Sequence, residues 1–149
     1  MMNKSRVVSC ILAVMFMFSL AGCGFIGEQR YTCDVENVKS VQIIKLGEYD
    51  EESCWFQQTT ICEIENRTEF IERLLGISQT VRFGLPGAFY SGDIVIYIEY
   101  VNGDYDLISY IAQTKVENGV GNGGGHITFN PKQFNALLND YLPEDEQIH

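Results

Sequence analysis

Chemistry in this chain would have to come from thiols, histidines or carboxylates. The sequence contains five cysteines and two histidines, His126 and His149. It has neither the Cys-x-x-Cys spacing of a zinc site nor a His-Glu-x-x-His helix. A cysteine nucleophile needs a histidine beside it, and nothing in the sequence brings His126 near a thiol. We therefore predict no catalytic residues and no zinc site, and a protein that is not an enzyme.

The carboxylates give a more specific hypothesis. Asn102-Gly103 lies between two alternating apolar runs, which predicts a two-residue type I′ turn. This turn would place Glu99 opposite Asp106, and like charges across a strand pair are destabilising. Solvent beside the turn would screen them, or a basic group of a partner or Ca²⁺ would neutralise them. The predicted contact or cation patch has an aromatic centre and an acidic rim. Its residues are Tyr97, Glu99, Asp104, Asp106, Ile108 and Tyr110.

Two glycine-rich segments have the composition of ligand-binding loops. Gly119 to Gly124 matches G-x-G-x-x-G, but the residues after it read as a strand. A dinucleotide phosphate would meet no helix N-terminus there, so we predict a mobile hairpin loop over 116–125. Gly84 to Tyr90 suits either a packed loop or a binding loop, and we favour the packed loop.

Hydrophobic periodicity predicts six strands and two helices around these residues. The helices cover about 66–76 and 131–142, with Asn66 and Asn130 as N-caps. The order of elements predicts an α+β fold, a mostly antiparallel sheet with both helices packed on one face. One domain, 38–142, would contain them all.

A short basic start and an apolar run from Val7 to Leu20 precede the domain. The run is too short to span a membrane and is typical of a secretory signal. Leu20-Ala21-Gly22-Cys23 follows it and resembles the lipobox of bacterial lipoprotein precursors. This resemblance covers only the first 23 residues. It implies that 1–22 is a signal peptide and that Cys23 receives a covalent diacylglycerol.

The same resemblance implies where the mature chain works. Two acyl chains would hold it on the extracytoplasmic face of the cell membrane without spanning it. We expect 23–37 to be a lipidated tether without order, and 143–149 to be a disordered acidic tail. The domain resembles small uncharacterised lipoproteins of Gram-positive bacteria, which implies no activity and no cofactor beyond the lipid.

Charge and cysteine content limit the partners. Loss of Lys4 and Arg6 with the signal would change the net charge from −10 to −12, which disfavours nucleic acid and favours basic partners or cations. Cys33, Cys54 and Cys62 would remain where disulfides persist. A strand from Cys54 to Cys62 would hold those two about 27 Å apart. Cys33 paired with either one, or free thiols, stays open.

We expect a binding or interaction module that holds a partner protein or a cell-wall component at the outer membrane face. A lipoprotein that senses a small ligand or Ca²⁺ is the alternative. It would need a pocket lined by the Gly84 to Tyr90 loop, or the paired carboxylates. A small enzyme is a third reading, and it would need reactive groups that converge in one cleft.

Overall fold

Antiparallel strands form most of the structure, a computed structural model that describes residues 30–81, 87–122 and 127–148. The strands are β1 (Val38–Asp50), β2 (Trp55–Glu63), β3 (Gln79–Val81), β4 (Ile94–Tyr100), β5 (Tyr105–Ile108), β6 (Gln113–Glu117), β7 (Val120–Asn122) and β8 (Ile127–Phe129). The helices are α1 (Arg67–Leu75) and α2 (Pro131–Asn139), and short 3₁₀ turns cover Val35–Asn37 and Glu144–Glu146. Six strands form one sheet in the order β2-β1-β4-β5-β6-β7, and β3 pairs with β8. The predicted α+β fold is confirmed.

Both helices begin where the sequence predicts, because an asparagine caps each of them. Asn66 Oδ1 accepts a hydrogen bond from the Glu69 N–H, and Asn130 Oδ1 accepts one from the Gln133 N–H. Phe129, just before the second cap, packs on Phe134 with ring centroids 5.5 Å apart. This contact is the hydrophobic staple that fixes how the chain enters a helix.

The main core lies between the helices and one face of the large sheet. Phe70, Ile71 and Leu74 of α1 and the apolar stripe of α2 pack against alternate residues of β1 and β4, such as Ile43 and Ile98. The opposite face of the sheet has a smaller cluster around Ile44, Leu46, Val95 and Leu107. The sheet therefore has one helix-covered face, and we call the other its open face.

The predicted register of the β4–β5 hairpin is wrong by one residue. Glu99 lies opposite Tyr105, and Asp106 lies opposite Ile98. The Gly103 N–H donates to the Tyr100 carbonyl oxygen, and within the β4–β5 connection only Gly103 has a positive φ, +88°. The connection is therefore a three-residue loop with a bulge at the glycine, and a one-residue slip moves every β5 side chain to the other face.

The two-residue turn occurs instead in the segment predicted to be a mobile loop. Glu117 pairs with Val120, and Asn118 and Gly119 between them have φ values of +53° and +76°. Both positive φ values are what a type I′ turn requires. The hairpin predicted over 116–125 is therefore present at residues 116–122, where β6, a two-residue turn and β7 form it.

The described ends of the chain are packed rather than free. Tyr31, Cys33 and Val35 contact the main core, and so does Ile148 near the C-terminus. The expectation that the tether and the acidic tail lack order is therefore wrong for residues 30–37 and 144–148. The cause is that each segment carries apolar side chains that pack, partly buried, against the core.

Several sequence-based predictions lie outside the described residues. They concern the signal peptide 1–22, lipidation of Cys23, the Gly84–Pro86 part of the glycine-rich loop, and His126. Neither helix of the described residues has the length and apolar character that a membrane-spanning helix requires.

Candidate binding groove

The structure divides the predicted contact patch. Tyr97 and Glu99 lie on the open face of the sheet, whereas Asp106 and Ile108 are buried on the helix-covered face. The predicted confrontation of Glu99 with Asp106 is wrong, because the register places their side chains on opposite faces. A Ca²⁺ site built on this pair loses its geometric basis.

The remaining patch residues have local partners. Glu99 accepts hydrogen bonds from Lys39 Nζ at 2.8 Å and Ser40 Oγ at 3.1 Å, and the Lys39 bond is the main cause that lowers the pKa of Glu99. Asp104 accepts from the Asn118 N–H at 3.0 Å. Tyr97 packs against a tyrosine of β5 with ring centroids 5.0 Å apart. Lys39 of the same chain therefore neutralises the charge of Glu99.

Asp106 is the centre of a buried polar cluster that the sequence analysis missed. It is 3% exposed, and its Oδ2 accepts hydrogen bonds from the hydroxyls of Tyr31, at 2.6 Å, and Tyr100, at 2.7 Å. Cys33 Sγ lies 3.4 Å from the Tyr100 hydroxyl oxygen. The Tyr31 N–H also donates to Gln79 Oε1 at 2.8 Å. The cluster thus fastens the N-terminal segment to β3, β4 and β5.

Burial keeps the two phenols of this cluster protonated. Desolvation is the main cause that raises the pKa of Tyr31 far above its usual range, and the charge of Asp106 is the second cause. Desolvation, followed by hydrogen bonds to Cys33 and Asp106, does the same for Tyr100. Both phenols remain protonated donors at any physiological pH, and desolvation also raises the pKa of the Cys33 thiol. We interpret the cluster as a structural clasp, because both phenols donate to the same carboxylate oxygen, Asp106 Oδ2, and so join three parts of the chain.

The three thiols are free in the structure. Cys54 is exposed, whereas Cys33 and Cys62 are half-buried. Desolvation raises the pKa of Cys62 as it does that of Cys33. We refer below to Cys33 and Cys62 as the half-buried thiols.

An open groove of about 650 Å³ lies between α2, the start of β4, the β5–β6 turn and the C-terminal segment. Ile94 and Ile111, both partly exposed, supply apolar surface, whereas Phe134 and Leu138 of α2, one helical turn apart, line the groove but are themselves buried. The volume lies within the range of small-molecule and cofactor sites. The groove is therefore large enough to accept a small ligand or a few side chains of a partner.

Two tyrosines line this groove and remain accessible. Tyr90 is 61% exposed and Tyr110 is 39% exposed. The Tyr90 N–H donates to Asp93 Oδ2 at 2.8 Å, and the Asp93 N–H donates to the Tyr90 carbonyl oxygen at 3.1 Å. Leu46 of β1 bonds to this turn through both of its backbone groups. A hydrogen-bonded turn thus positions Tyr90. This tyrosine is the last residue of the glycine-rich loop for which the sequence suited either a packed loop or a binding loop.

The C-terminal segment supplies another wall of the groove. Asn139 at the end of α2 exchanges two hydrogen bonds with the Ile148 backbone, at 2.8 and 2.9 Å. Glu146 pairs with Lys45 Nζ, with both carboxylate oxygens within 3.2 Å. These contacts, together with the Ile148 side chain in the core, hold the segment that was expected to be disordered.

The polar groups of the groove carry net negative charge. Among the described residues, Asp93, Asp145 and Glu146 line it, and Lys45 is the one basic residue that does so. The Lys45–Glu146 pair neutralises two of these charges and leaves two acids. The groove thus combines apolar and tyrosine side chains with two acids that have no basic partner in its lining. Such a lining suits a ligand that has an apolar body and a positive charge.

The described residues do not form a metal cluster. No group of three or more His, Cys, Asp or Glu residues that could hold a metal ion occurs within 30–81, 87–122 and 127–148. Of the groove residues, the sequence pointed only to Tyr110, as part of the predicted patch, and to Tyr90, as the last residue of the glycine-rich loop.

No protein-family model, no curated protein and no solved structure matches this chain. The geometry of the groove is therefore the basis for its function.

Proposed function

We propose that this protein is a lipid-anchored binding module on the extracytoplasmic face of the cell membrane, and that it holds a partner in the groove. The lipobox-like Leu20-Ala21-Gly22-Cys23 supports the anchor. The observation that carries the binding role is the groove itself, which is open, has a volume of about 650 Å³ and is lined by two accessible tyrosines, by the partly exposed Ile94 and Ile111, and by more acidic than basic side chains. The partner would present an apolar segment with a lysine or arginine.

The packed N-terminal segment supports a role close to the membrane. Eight residue steps separate Cys23 from Tyr31, the first residue seen to contact the core. A fully extended chain of that length reaches at most about 29 Å. A domain anchored at Cys23 would therefore meet partners at the membrane surface or in the first layer of the wall.

A crosslinking pull-down from intact producing cells tests the binding role. Tyr90→Ala combined with Tyr110→Ala removes both accessible tyrosines of the groove, and we expect it to lower recovery of the partner about tenfold or more, because interface tyrosines carry a large share of binding free energy. Tyr49→Ala is the matched control, since Tyr49 is 53% exposed and does not line the groove. Equal recovery from wild type, groove variant and control would contradict the proposal.

A separate experiment tests the anchor, so the two parts can fail independently. Wild type and Cys23→Ala are compared by detergent phase partitioning and by labelling with a fatty-acid probe. We expect the wild type to enter the detergent phase with label and the variant to stay in water unlabelled. A labelled Cys23→Ala variant would contradict lipidation at this residue.

Binding of a small ligand is the second candidate function. It is favoured by the position of Tyr90, because the last residue of the glycine-rich loop lines a groove of suitable volume. Small cationic amphiphiles that raise the melting temperature of wild type but not of the Tyr90→Ala and Tyr110→Ala double variant would support it. Recovery of a discrete protein through the groove would favour the interaction module instead.

A further inference from the structure

The outer edge of β2 has the properties of a strand-binding site. β2 is nine residues long and ends the six-stranded sheet, and no described residue pairs with its outer side. The other end of that sheet is β7, with three residues. Alternate residues of an edge strand point their N–H and C=O groups away from the sheet, where another strand can bond to them.

Over Trp55 to Thr60, β2 lacks the features that usually protect such an edge. Natural edge strands carry charges or proline, are short, or are bent by bulges. Trp55 to Cys62 contains no charged residue and no proline, although the chain has a net charge of −10. Gln57 to Thr60 is exposed at every position. This strand therefore offers a polar, uncharged and accessible edge.

The irregularities in the β1–β2 pairing leave this stretch intact. One of them adds Ile61 to β2, between the pairs Ile43–Cys62 and Ile44–Thr60. The other adds its extra residue to β1, so β2 itself runs regularly from Trp55 to Thr60. Six regular residues are enough for a partner strand to form a ladder, since natural strands are commonly five to six residues long.

Charge at the two ends selects the partner. Glu51 and Glu52 lie in the turn before β2, while Glu63 and Glu65 lie at and just beyond its end, and all four are exposed. Two copies paired antiparallel about Gln57 and Gln58 would bring these acidic ends against each other. Like charges across a strand pair are destabilising, so the ends disfavour a second copy and favour a strand with basic ends.

We propose that the β2 edge binds an extended segment of a partner polypeptide, with an uncharged β-forming centre and lysine or arginine at both ends. The segment would add to the sheet as a further strand beside β2. Backbone hydrogen bonds would supply affinity and the four acids would supply selectivity. This site is separate from the groove and does not require lipidation.

The probe is a fluorescent peptide of alternating threonine and valine with paired lysines at each end, added to the full chain purified in detergent. Glu52→Lys combined with Glu63→Lys reverses one acid at each end of the edge. We expect this variant to bind the peptide about tenfold more weakly at low salt, since each exposed ion pair contributes modestly. The matched control, Glu36→Lys combined with Glu72→Lys, makes the same change in net charge at exposed positions away from β2 and should alter affinity less than about twofold.

Amide hydrogen exchange locates the bound peptide. We expect slower exchange at alternate residues of Trp55 to Thr60, those whose N–H groups point away from β1. Equal affinity of the edge and control variants would overturn the proposal, as would equal binding of a peptide with glutamates at its ends. Protection of the same amides by dimerisation without peptide would also overturn it, because the edge would then belong to a second copy.

Discussion

Removal of the Tyr31 hydroxyl tests whether the Asp106 cluster fastens the N-terminal segment to the domain. Tyr31→Phe keeps the ring, which packs against Phe129 with centroids 6.1 Å apart, and deletes only the hydrogen bond of 2.6 Å to Asp106 Oδ2. No cavity forms, so the loss is that of a hydrogen bond to a carboxylate, about 1.5 kcal/mol at this half-buried site. With an m-value of about 1.5 kcal/mol/M, the urea midpoint should fall by about 1 M.

A double-mutant cycle separates this bond from other effects of the substitution. In an Asp106→Asn background the acceptor is neutral, and Tyr31→Phe should destabilise by only about 0.5 kcal/mol. The difference of about 1 kcal/mol is the coupling between the two residues. Fluorescence of Trp55, the one tryptophan of the chain, follows unfolding, and Tyr90→Phe at a 61% exposed tyrosine is the control. Equal losses in both backgrounds, or a loss below about 0.3 kcal/mol, would refute the reasoning.

Three further predictions concern turns, thiols and the C-terminal segment. A Cβ at Gly87 would lie 1.8 Å from a backbone carbonyl oxygen, and Gly103 has φ +88°. Alanine should therefore destabilise the protein by about 2–3 kcal/mol at Gly87 and by about 1–2 kcal/mol at Gly103, as measured by thermal unfolding. Equal effects of the two substitutions would contradict this order. Maleimide should label Cys54 before Cys33 and Cys62 at neutral pH. The raised pKa of the half-buried thiols lowers their thiolate fraction, and burial limits access of the reagent to them. Simultaneous labelling of the three cysteines would be contrary evidence. Asn139→Ala removes both hydrogen bonds to the Ile148 backbone, so carboxypeptidase should shorten the variant faster than wild type, and unchanged digestion would show that these bonds do not hold the segment.

Local signals in the sequence were sufficient for the elements and for the fold class. The asparagine caps and apolar stripes specify the two helices through interactions within a few residues, and alternation in β1 assigns Ile43 and Ile44 to opposite faces as observed. Such features depend on backbone geometry near each residue. The folded structure keeps these caps and apolar faces because the core requires the same pattern of apolar residues.

The β4–β5 register could not be obtained in the same way, because two turns compete for one Asn-Gly pair. Asn102 Oδ1 accepts from the Asp104 N–H at 3.0 Å, and Asn102 Nδ2 donates to Asp104 Oδ2 at 2.7 Å. These bonds accompany the three-residue loop. The second Asn-Gly pair, Asn118-Gly119, forms the two-residue turn instead. A dipeptide thus limits the choice of turn, and the side chains around it select the loop length.

The groove depends on contacts between distant parts of the chain. Lys45 and Glu146 are 101 residues apart in sequence, and their side chains meet at 2.9 Å. Tyr90 and Tyr110 come from different connections. Tertiary packing alone brings them together, so periodicity and turn chemistry carried no signal for a groove.

The register and the N-terminal segment depend on each other. The one-residue slip moves Asp106 from the open face into the main core, where an unpaired carboxylate would be strongly destabilising. Tyr31 and Tyr100 donate to its Oδ2, while Oδ1 has no hydrogen-bond partner in the described residues. Release of the N-terminal segment would remove one of these two donors from a buried charge. The segment is therefore a structural part of the domain, and an anchor at Cys23 would restrain the position of the whole domain at the membrane surface.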